Sequence, residues 1–400
     1  MAGAGTTADV VVIGGGVNGA SAAFWLARAG AGRVVLLERG GLAAGASGKS
    51  GALVRMHYTN EPESRLAWES LQVFRGWGDL VGGDCGWTAP GFLQLVAPEY
   101  EAALRANVET QRRIGIDTRV VSAEEVREIA PDLHTGDLTC AAWEPGSGFA
   151  DPVATTYGFA RRAAELGVTV RPHTPVEAIE TERGRVGGVR LAGGERIAAP
   201  VVVLAGGAWA NRLLEPLGCD FGLVPHRVQV AVFRWPPALT APHPVIIDST
   251  HGSWFRPEGR AGTLIGVELG VGLEDPEGYD EGVDGGYVQT CRAALTARLP
   301  VMADAPMRGG WAGMIMMSPD GRPIIDRIGE HDGLFCMAGD SGTSFKTAPA
   351  IGRCLAEWIV EGAPRTVDLT PFRASRFAEG RPWVDEHAYG TGQLRATISR

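Results

Sequence analysis

The hydrophobic residues at the start of the chain fall in two short runs with a helical pattern between them. Residues 10–13 are Val-Val-Val-Ile, and residues 34–37 are Val-Val-Leu-Leu. Strands that are apolar at every position are typical of parallel sheets, because both faces are covered. A helix is predicted from about Ala20 to Ala29, where Gly30 ends it. The pattern therefore predicts a β-α-β unit with parallel strands.

The same alternation returns at the other end of the chain. A strand is predicted at Leu334–Ala338, then a glycine-rich loop, then a helix from about Ala348 to Glu361. Asp151 and Pro152 suit the N-cap and the first position of a helix over 151–166. Further strands are predicted near 91–97, 168–170, 188–191 and 201–205 and throughout 224–267, and further helices near 63–81, 99–114 and 287–299.

These elements predict an α/β fold in which a Rossmann-like nucleotide-binding domain is discontinuous. We expect that domain to comprise residues 1–85, 145–220 and 320–370. Residues 86–144 and 221–319 then form a second domain around an antiparallel sheet, which is expected to bind the substrate. The polar tail, residues 371–400, has no pattern that predicts structure.

Composition excludes several classes of protein. Hydrophobic residues make up 45% of the chain and charged residues 21%, as in globular proteins. The 57 glycines follow no three-residue period, which excludes collagen and favours glycine-lined ligand loops. The net charge of −9 disfavours a nucleic-acid partner or an anionic membrane.

Cysteine usage and hydropathy indicate the compartment. The six cysteines form no CxxC pair, so we predict no metal site and no dithiol centre. No run approaches the roughly 18 apolar residues that span a bilayer, and residues 1–8 lack the basic residues of a signal peptide. We expect a reduced cytoplasmic protein with no membrane span. Of the 37 basic residues only Lys49 and Lys346 are lysine, and both lie in glycine-rich loops.

The first strand leads directly into a GxGxxG motif formed by Gly14, Gly16 and Gly19. These glycines permit a tight turn, close approach of the backbone to a pyrophosphate, and close helix–strand packing. The free N–H groups of the helix then face the phosphates. Glu38 ends the second strand, where a carboxylate binds ribose hydroxyls and disfavours the 2′-phosphate of NADP. The motif predicts a dinucleotide but does not separate NAD from FAD.

Several separated motifs, in this order, resemble the D-amino-acid oxidase superfamily of flavoproteins, and specifically its sarcosine oxidase-like branch. The resemblance covers most of the chain. The motifs are GGGVNGAS (14–21), LLERG (36–40), GASGKSGALVR (45–55), GFADP (148–152), VVVLAGGAWA (201–210), WFRPEG (254–259), SPDGRPIID (318–326) and GDSGTSFK (339–346).

The resemblance implies an extended FAD. The helix that follows residues 339–344 would point its N-terminus at the flavin, where it favours negative charge. The family links flavin through a Cys near 313–318 or a His within 41–51; neither is present, so the FAD is expected to be non-covalent. The implied cofactor-binding residues are Gly14, Gly15, Gly16, Gly19, Glu38, Ser47, Lys49, Ser50, Val176, Ala205, Gly206, Gly339, Gly342, Thr343 and Ser344.

The resemblance also implies a clamp for a substrate carboxylate. Arg55 and Lys346 stand at the family's two carboxylate-binding positions, and they are predicted as catalytic and substrate-binding residues. Arg55 could instead bond loop carbonyls. Tyr58 and Trp254 are further candidates for the substrate pocket. A structural role is the better reading of His57 and of His226. Residues 313–318 lack the arginine that D-amino acid and glycine oxidases carry there, which disfavours that activity.

The electron acceptor is left open by the sequence. Residues 262–266 lack the lysine that promotes the oxygen reaction in sarcosine oxidases. Lys49 is the candidate replacement and so a third catalytic candidate, with a phosphate or loop contact as its equal alternative.

The predicted function is FAD-dependent oxidation of the C–N bond of a carboxylated amine such as an N-alkyl or cyclic amino acid. Hydride transfer to flavin gives an imine, and oxygen gives hydrogen peroxide unless another acceptor serves. The alternatives are a D-amino acid or glycine oxidase or dehydrogenase, and a flavin-carrying subunit of a hetero-oligomeric oxidase. A monooxygenase or a pyridine-nucleotide reductase is disfavoured, because no second GxGxxG is present. The sequence leaves the amine and the oligomeric state unassigned.

Overall fold

The computed structural model describes residues 6–268 and 274–389. In these ranges it has twenty strands and ten α-helices. The strands are β1 (Thr6–Thr7), β2 (Val10–Ile13), β3 (Val34–Leu37), β4 (Leu53–Val54), β5 (Phe92–Leu95), β6 (Arg119–Ser122), β7 (Cys140–Glu144), β8 (Gly148–Phe149), β9 (Thr169–Arg171), β10 (Val176–Glu182), β11 (Arg185–Leu191), β12 (Arg196–Ala198), β13 (Val201–Leu204), β14 (Val224–Arg234), β15 (Val245–Asp248), β16 (Ser253–Glu258), β17 (Gly262–Val267), β18 (Met307–Met317), β19 (Ile324–Arg327) and β20 (Leu334–Ala338).

The helices vary from one turn to four. They are α1 (Val17–Arg28), α2 (Glu61–Arg75), α3 (Trp77–Leu80), α4 (Glu101–Ile114), α5 (Ala123–Ile129), α6 (Pro152–Glu165), α7 (Asn211–Leu214), α8 (Gly285–Arg298), α9 (Ala348–Glu361) and α10 (Ser375–Ala378).

A six-stranded sheet carries the nucleotide-binding elements. Its order is β19-β20-β13-β2-β3-β9, and all neighbours are parallel except β19 and β20. Val10 pairs with Val34, so the predicted parallel β-α-β unit is confirmed. Every residue of β2, β3 and β20 is buried, as their continuous apolar runs require. Helix α1 packs against α6 and α9, and Gly352 allows close approach to Ser21.

The second large sheet has eight strands. Its order is β18-β14-β17-β16-β15-β5-β7-β6, and it is antiparallel except for the β15–β5 pair. Helix α8 covers one face, where Tyr287 and Leu295 join Phe233 and Phe255 in a hydrophobic cluster. The two large sheets draw their strands from the separate chain segments assigned to the two domains. That distribution supports the domain division, which stays a prediction.

Several predicted boundaries differ from the structure. The helix expected over 63–81 is two helices, α2 and α3, interrupted at Gly76. Asn60 caps α2 by accepting a hydrogen bond from the Glu63 N–H, so the helix starts earlier than predicted. The predicted cap at Asp151 is confirmed, because its carboxylate accepts from the Ala154 N–H at 2.7 Å.

The described part of the tail after Pro371 is structured. It contains α10, and Tyr389 is 1% exposed. Residues 390–400 of the tail lie outside the described residues. In the described part of the chain, no helix is long and apolar enough to cross a membrane, and no group of side chains has the make-up of a metal site.

Candidate cofactor and substrate site

The glycine loop between β2 and α1 has a backbone path that excludes larger residues. Gly14 has a φ of +109°, and a Cβ there would lie 2.2 Å from the Ala205 carbonyl oxygen. A Cβ at Gly19 would lie 1.9 Å from the Gly14 carbonyl oxygen. The Val17 N–H, in the first turn of α1, donates to Ser47 Oγ at 2.9 Å. The loop is therefore shaped by backbone contacts that only glycine permits.

Glu38 follows β3 and turns back onto this loop. Its Oε2 accepts from the Gly15 N–H at 2.6 Å, and its Oε1 accepts from the Gly40 N–H at 2.7 Å. Each carboxylate oxygen has a second lone pair, so a hydroxyl can still donate to it. Glu38 thus holds the loop in place and offers acceptors beside it.

A cavity of about 510 Å³ opens where the parallel strands end and α1 begins. Glycine backbone lines much of it, as a pyrophosphate requires, and Glu38 lies where a ribose requires an acceptor. Three further carboxylates, Glu277, Glu281 and Asp340, also line this cavity. Of the predicted cofactor-binding residues, the cavity is lined by Gly14, Gly16, Glu38, Ser47, Val176, Ala205, Gly206 and Gly339. Gly15 lies behind Glu38, and Gly19 packs on the loop. The residues present fit a dinucleotide on this side.

A larger cavity of about 990 Å³ adjoins the first, because Asn18, Ala46, Ser47 and Asp340 line both. Of the remaining predicted residues it is lined by Lys49, Ser50, Arg55, Trp254, Gly342, Thr343, Ser344 and Lys346. The structure therefore gathers the two lysines and the predicted clamp around one space.

The loop before α9 is fixed to α1 by a short polar chain. Asn18 Nδ2 donates to Ser344 Oγ at 2.9 Å, and that hydroxyl donates to Asp340 Oδ2 at 2.7 Å. The Gly342 N–H donates to the other Asp340 oxygen at 3.2 Å. Burial raises the pKa of Asp340. Helix α9 begins only at Ala348, so the loop 339–344 does not open it directly.

Arg55 and Lys346 both lie close to the ring of Tyr58. The Arg55 guanidinium carbon is 4.6 Å from the centroid of Tyr58, and Lys346 Nζ is 5.3 Å from it. Arg55 is 2% exposed and Lys346 6%. Burial lowers the pKa of Arg55, which expresses the cost of keeping its charge away from water. Two buried cations facing one cavity create a site for an anion.

Tyr58 supports the clamp but is not among the cavity-lining residues of the described chain. Its hydroxyl donates to the Thr343 carbonyl at 3.4 Å. Trp254 does line the cavity, and glycines at 51 and 266 leave room for its ring. Thus Trp254 forms part of the cavity wall, whereas Tyr58 lies close to both cations.

Other cavity-lining residues were not predicted as site residues. Arg227 and Gln229 alternate along β14 and lie on the same face, where both bond Asp284. Trp311 lines the cavity and donates through Nε1 to the Lys49 carbonyl at 2.9 Å. The strand alternation at 227 and 229 was the available signal, since polar side chains at i and i+2 share a face.

Lys49 lines the larger cavity and forms an ion pair with Glu281, which lines the smaller one. Its Nζ donates to Tyr279 OH and to Glu281 Oε1, both at 2.5 Å. Burial lowers the pKa of Lys49, but the hydrogen bonds to Glu281 and Tyr279 together with the charges of these two groups outweigh it, so the pKa is raised. Leu264 and Ile265, in the strand that lacks the family's lysine, are fully buried.

His57 is neutral, as expected of a structural histidine. Burial and the neighbouring Arg55 charge lower its pKa to about 3. Its Nε2 is 2.8 Å from Tyr389 OH in the tail. Burial also lowers the pKa of His226.

Comparison with known proteins identifies the family. The model of the DAO family, described as FAD dependent oxidoreductase, matches residues 9–358. Sarcosine oxidase subunit beta from Arthrobacter sp is 27% identical over 95% of this chain and 93% of its own length. Glycine oxidase from Geobacillus kaustophilus is 27% identical over 92% of this chain and 97% of that protein.

A solved structure agrees with these matches. The crystal structure of L-proline dehydrogenase from P.horikoshii superposes with a TM-score of 0.88 at 27% identity, covering 95% of this chain and all of that one. The chain belongs to the DAO family of FAD-dependent oxidoreductases. It is an FAD-dependent oxidoreductase with the Rossmann-like fold of that family, which confirms the fold and the cofactor predicted from the sequence.

Proposed function

We propose that this flavoprotein oxidises the C–N bond of a carboxylated amine, an N-alkyl or cyclic amino acid. The observation that carries the proposal is the pair of buried cations, Arg55 and Lys346, in the cavity that adjoins the dinucleotide cavity. The names of the relatives, which act on sarcosine, glycine and proline, agree with that substrate class.

In this proposal the chain holds FAD along the two adjoining cavities. Gly14 and Gly16 receive the pyrophosphate, Gly15 and Gly19 shape the loop that holds it, and Glu38 receives the ribose. When bound, FAD supplies the acceptor for a hydride from the carbon beside the amine nitrogen. The loops 45–51 and 339–344 hold the flavin end through Ser47, Ser50, Thr343 and Ser344. No attachment residue is present at the family's positions, so we propose a non-covalent FAD.

Arg55 and Lys346 bind the substrate carboxylate and thereby fix the α-carbon. Arg55 can form two parallel hydrogen bonds, and Lys346 adds a point charge. The Tyr58 ring contacts both cations and so helps to position them. Trp254 and Trp311 close the cavity with apolar surface, which strengthens the charge–charge attraction. The imine that leaves the site is hydrolysed by water.

Anaerobic titration of the FAD-loaded protein tests the proposal. The panel consists of sarcosine, other N-methyl amino acids and proline, each paired with the same amine lacking its carboxylate. We expect at least one carboxylated amine to bleach the visible flavin absorbance and its partner to be inert. Equal bleaching by partners without a carboxylate would remove the clamp from the mechanism.

Acid precipitation tests the non-covalent FAD. All yellow colour is expected in the supernatant, whereas colour retained in the pellet would show a covalent bond.

A second candidate is a flavin-carrying subunit of a hetero-oligomeric oxidase, because one relative is named as a subunit beta. Size-exclusion chromatography and turnover of the purified single chain separate the two. A chain that reduces its flavin and turns over alone contradicts the subunit candidate.

A further inference from the structure

We propose that Glu144 is the positioning residue of the carboxylate clamp. Its buried side chain fixes the backbone next to Arg55 and balances the Arg55 charge until a substrate carboxylate arrives. This inference rests on the proposed function, in which Arg55 binds that carboxylate.

Glu144 approaches the clamp from the eight-stranded sheet. It is the last residue of β7, its side chain is fully buried, and it pairs across the sheet with Phe92. Its Oε2 accepts from the Met56 N–H at 3.0 Å and from Ser147 Oγ at 2.5 Å. Met56 directly follows Arg55, whose guanidinium carbon is 5.8 Å from the Phe92 ring centroid. The carboxylate thus anchors the backbone that carries the clamp arginine.

Glu144 is one of the carboxylates whose charge acts on Arg55. Among the described residues, Glu144 stabilises the charged Arg55 guanidinium more than Glu63 does. Glu63 belongs to a separate buried group, in which Glu63 and Asp385 both pair with Arg322. Glu144 instead accepts from two uncharged groups, the Met56 N–H and the Ser147 hydroxyl, so its charge is tied to Arg55 rather than to a paired arginine.

Glu144 is also poised to change its charge. Burial raises its pKa to about 7, against the lowering effects of the Ser147 and Met56 hydrogen bonds and of Arg55. The charge of Asp117 also acts on Glu144 and raises its pKa further. Oε1 is buried and makes no hydrogen bond to the described residues. Protonation of Glu144 removes a negative charge from beside Arg55, which favours the binding of another carboxylate there.

The sign of the resulting pH dependence follows from this arrangement. A substrate carboxylate adds a second negative charge beside Arg55, so it raises the pKa of Glu144 and favours its protonation. Carboxylates should therefore bind most tightly below pH 7 and more weakly as the pH rises and Glu144 ionises. A neutral side chain at position 144 removes this dependence.

Acetate, a carboxylate that cannot reduce the flavin, is the probe. Its binding to FAD-loaded protein is measured from the flavin absorbance change between pH 6 and pH 9. In the wild type we expect the acetate Kd to increase by roughly tenfold across this range. In Glu144→Gln, which keeps an acceptor for the Met56 N–H, the Kd should be flat and lower than wild type at pH 9. Glu125→Gln is the matched control, because Glu125 is an exposed member of the capping box of α5, and it should keep the wild-type profile.

A second variant keeps the proposal falsifiable if Glu144→Gln does not fold. Ser147→Ala removes a hydrogen bond that lowers the Glu144 pKa, so the inflection of the acetate profile should move to higher pH. A Glu144→Gln profile that still follows the wild type, or an unmoved inflection in Ser147→Ala, overturns the proposal.

The acetate test is distinguishable from the test of the proposed function. If no carboxylated amine bleaches the flavin while acetate still binds with this dependence, only the proposed reaction is wrong. If bleaching persists and the acetate profiles are identical, only the role of Glu144 is wrong.

Discussion

The glycine loop and the clamp loop, residues 55–60, are built in opposite ways. Gly14–Gly19 and Glu38 fall within 25 consecutive residues, and Glu38 closes the loop with hydrogen bonds to two nearby backbone N–H groups. The clamp loop instead takes its partners from Gln111, Glu144, Arg322 and the tail. The comparison teaches that the cofactor side is specified by local sequence and the substrate side by long-range contacts.

The tail is the most distant of these partners. His57 Nε2 meets Tyr389 OH at 2.8 Å, and Thr59 Oγ1 donates to Asp385 at 2.6 Å. Asp385 also pairs with the buried Arg322. The last described turn of the chain therefore braces the loop that carries Arg55.

The largest expected effect comes from Gly14→Ala. The added Cβ would lie 2.2 Å from the Ala205 carbonyl oxygen in a residue with φ of +109°, so the loop must move. We expect purified protein with little or no FAD, measured from the ratio of flavin to protein absorbance.

Gly30→Ala is the matched control for this prediction. Gly30 also has positive φ, but nothing lies within 4 Å of an added Cβ. It bears the same kind of backbone cost without the clash, and it should retain FAD. Normal FAD content in Gly14→Ala would contradict the description of the glycine loop as a fixed cradle.

The next effect is expected at the clamp itself. Arg55→Ala or Lys346→Ala leaves a desolvated carboxylate underpaired, at a cost of about 3–5 kcal/mol. Flavin reduction by the true substrate should slow by orders of magnitude while FAD stays bound, measured by anaerobic stopped-flow. Arg353→Ala, which removes an exposed arginine on α9, is the control. Unchanged reduction rates in both clamp variants would exclude the proposed substrate site.

The same contrast explains what the sequence could predict. The strands β2, β3 and β20 are apolar at every position, and their bounds follow from that pattern alone. The glycine spacing and Glu38 predicted the dinucleotide-binding loop, because local backbone geometry restricts which residues can stand at those positions.

The support of the clamp had no such local signal. Nothing in the sequence around Glu144 distinguishes it from other polar residues, and Tyr389 lies in a tail without periodicity. Their roles arise when separate segments meet, which residue spacing does not encode. Arg55 was found only through the family resemblance, and Lys346 was found through that resemblance and through the rarity of lysine in the chain.

A smaller effect is expected from the tail. Tyr389→Phe removes the hydroxyl that meets both His57 and Asn107, and a lost buried hydrogen bond costs about 1–3 kcal/mol. We expect a several-fold higher KM for the substrate with unchanged FAD content. Thr366→Val, which removes a hydroxyl bonded to Glu357, is the control away from the loop. A KM equal to wild type in Tyr389→Phe would show that the tail does not position the clamp.

The smallest effect is expected where the two regions meet, at Lys49. This side chain lines the larger cavity and is the proposed cation for the oxygen reaction, which a nearby positive charge promotes. Glu281 pairs with it and is largely exposed, so the pair is worth no more than about 1 kcal/mol and dampens the Lys49 charge only in part. Lys49→Met should therefore slow reoxidation by oxygen more than it slows reduction. Glu281→Gln should speed reoxidation by a few-fold, because it leaves the ammonium charge less compensated. Stopped-flow reoxidation of the two variants beside wild type measures both changes.

If the wild type reacts fast with oxygen and both variants react equally fast, Lys49 does not promote the oxygen reaction. If the wild type reacts slowly with oxygen and fast with an artificial acceptor, the enzyme is a dehydrogenase and the pairing of Lys49 is structural.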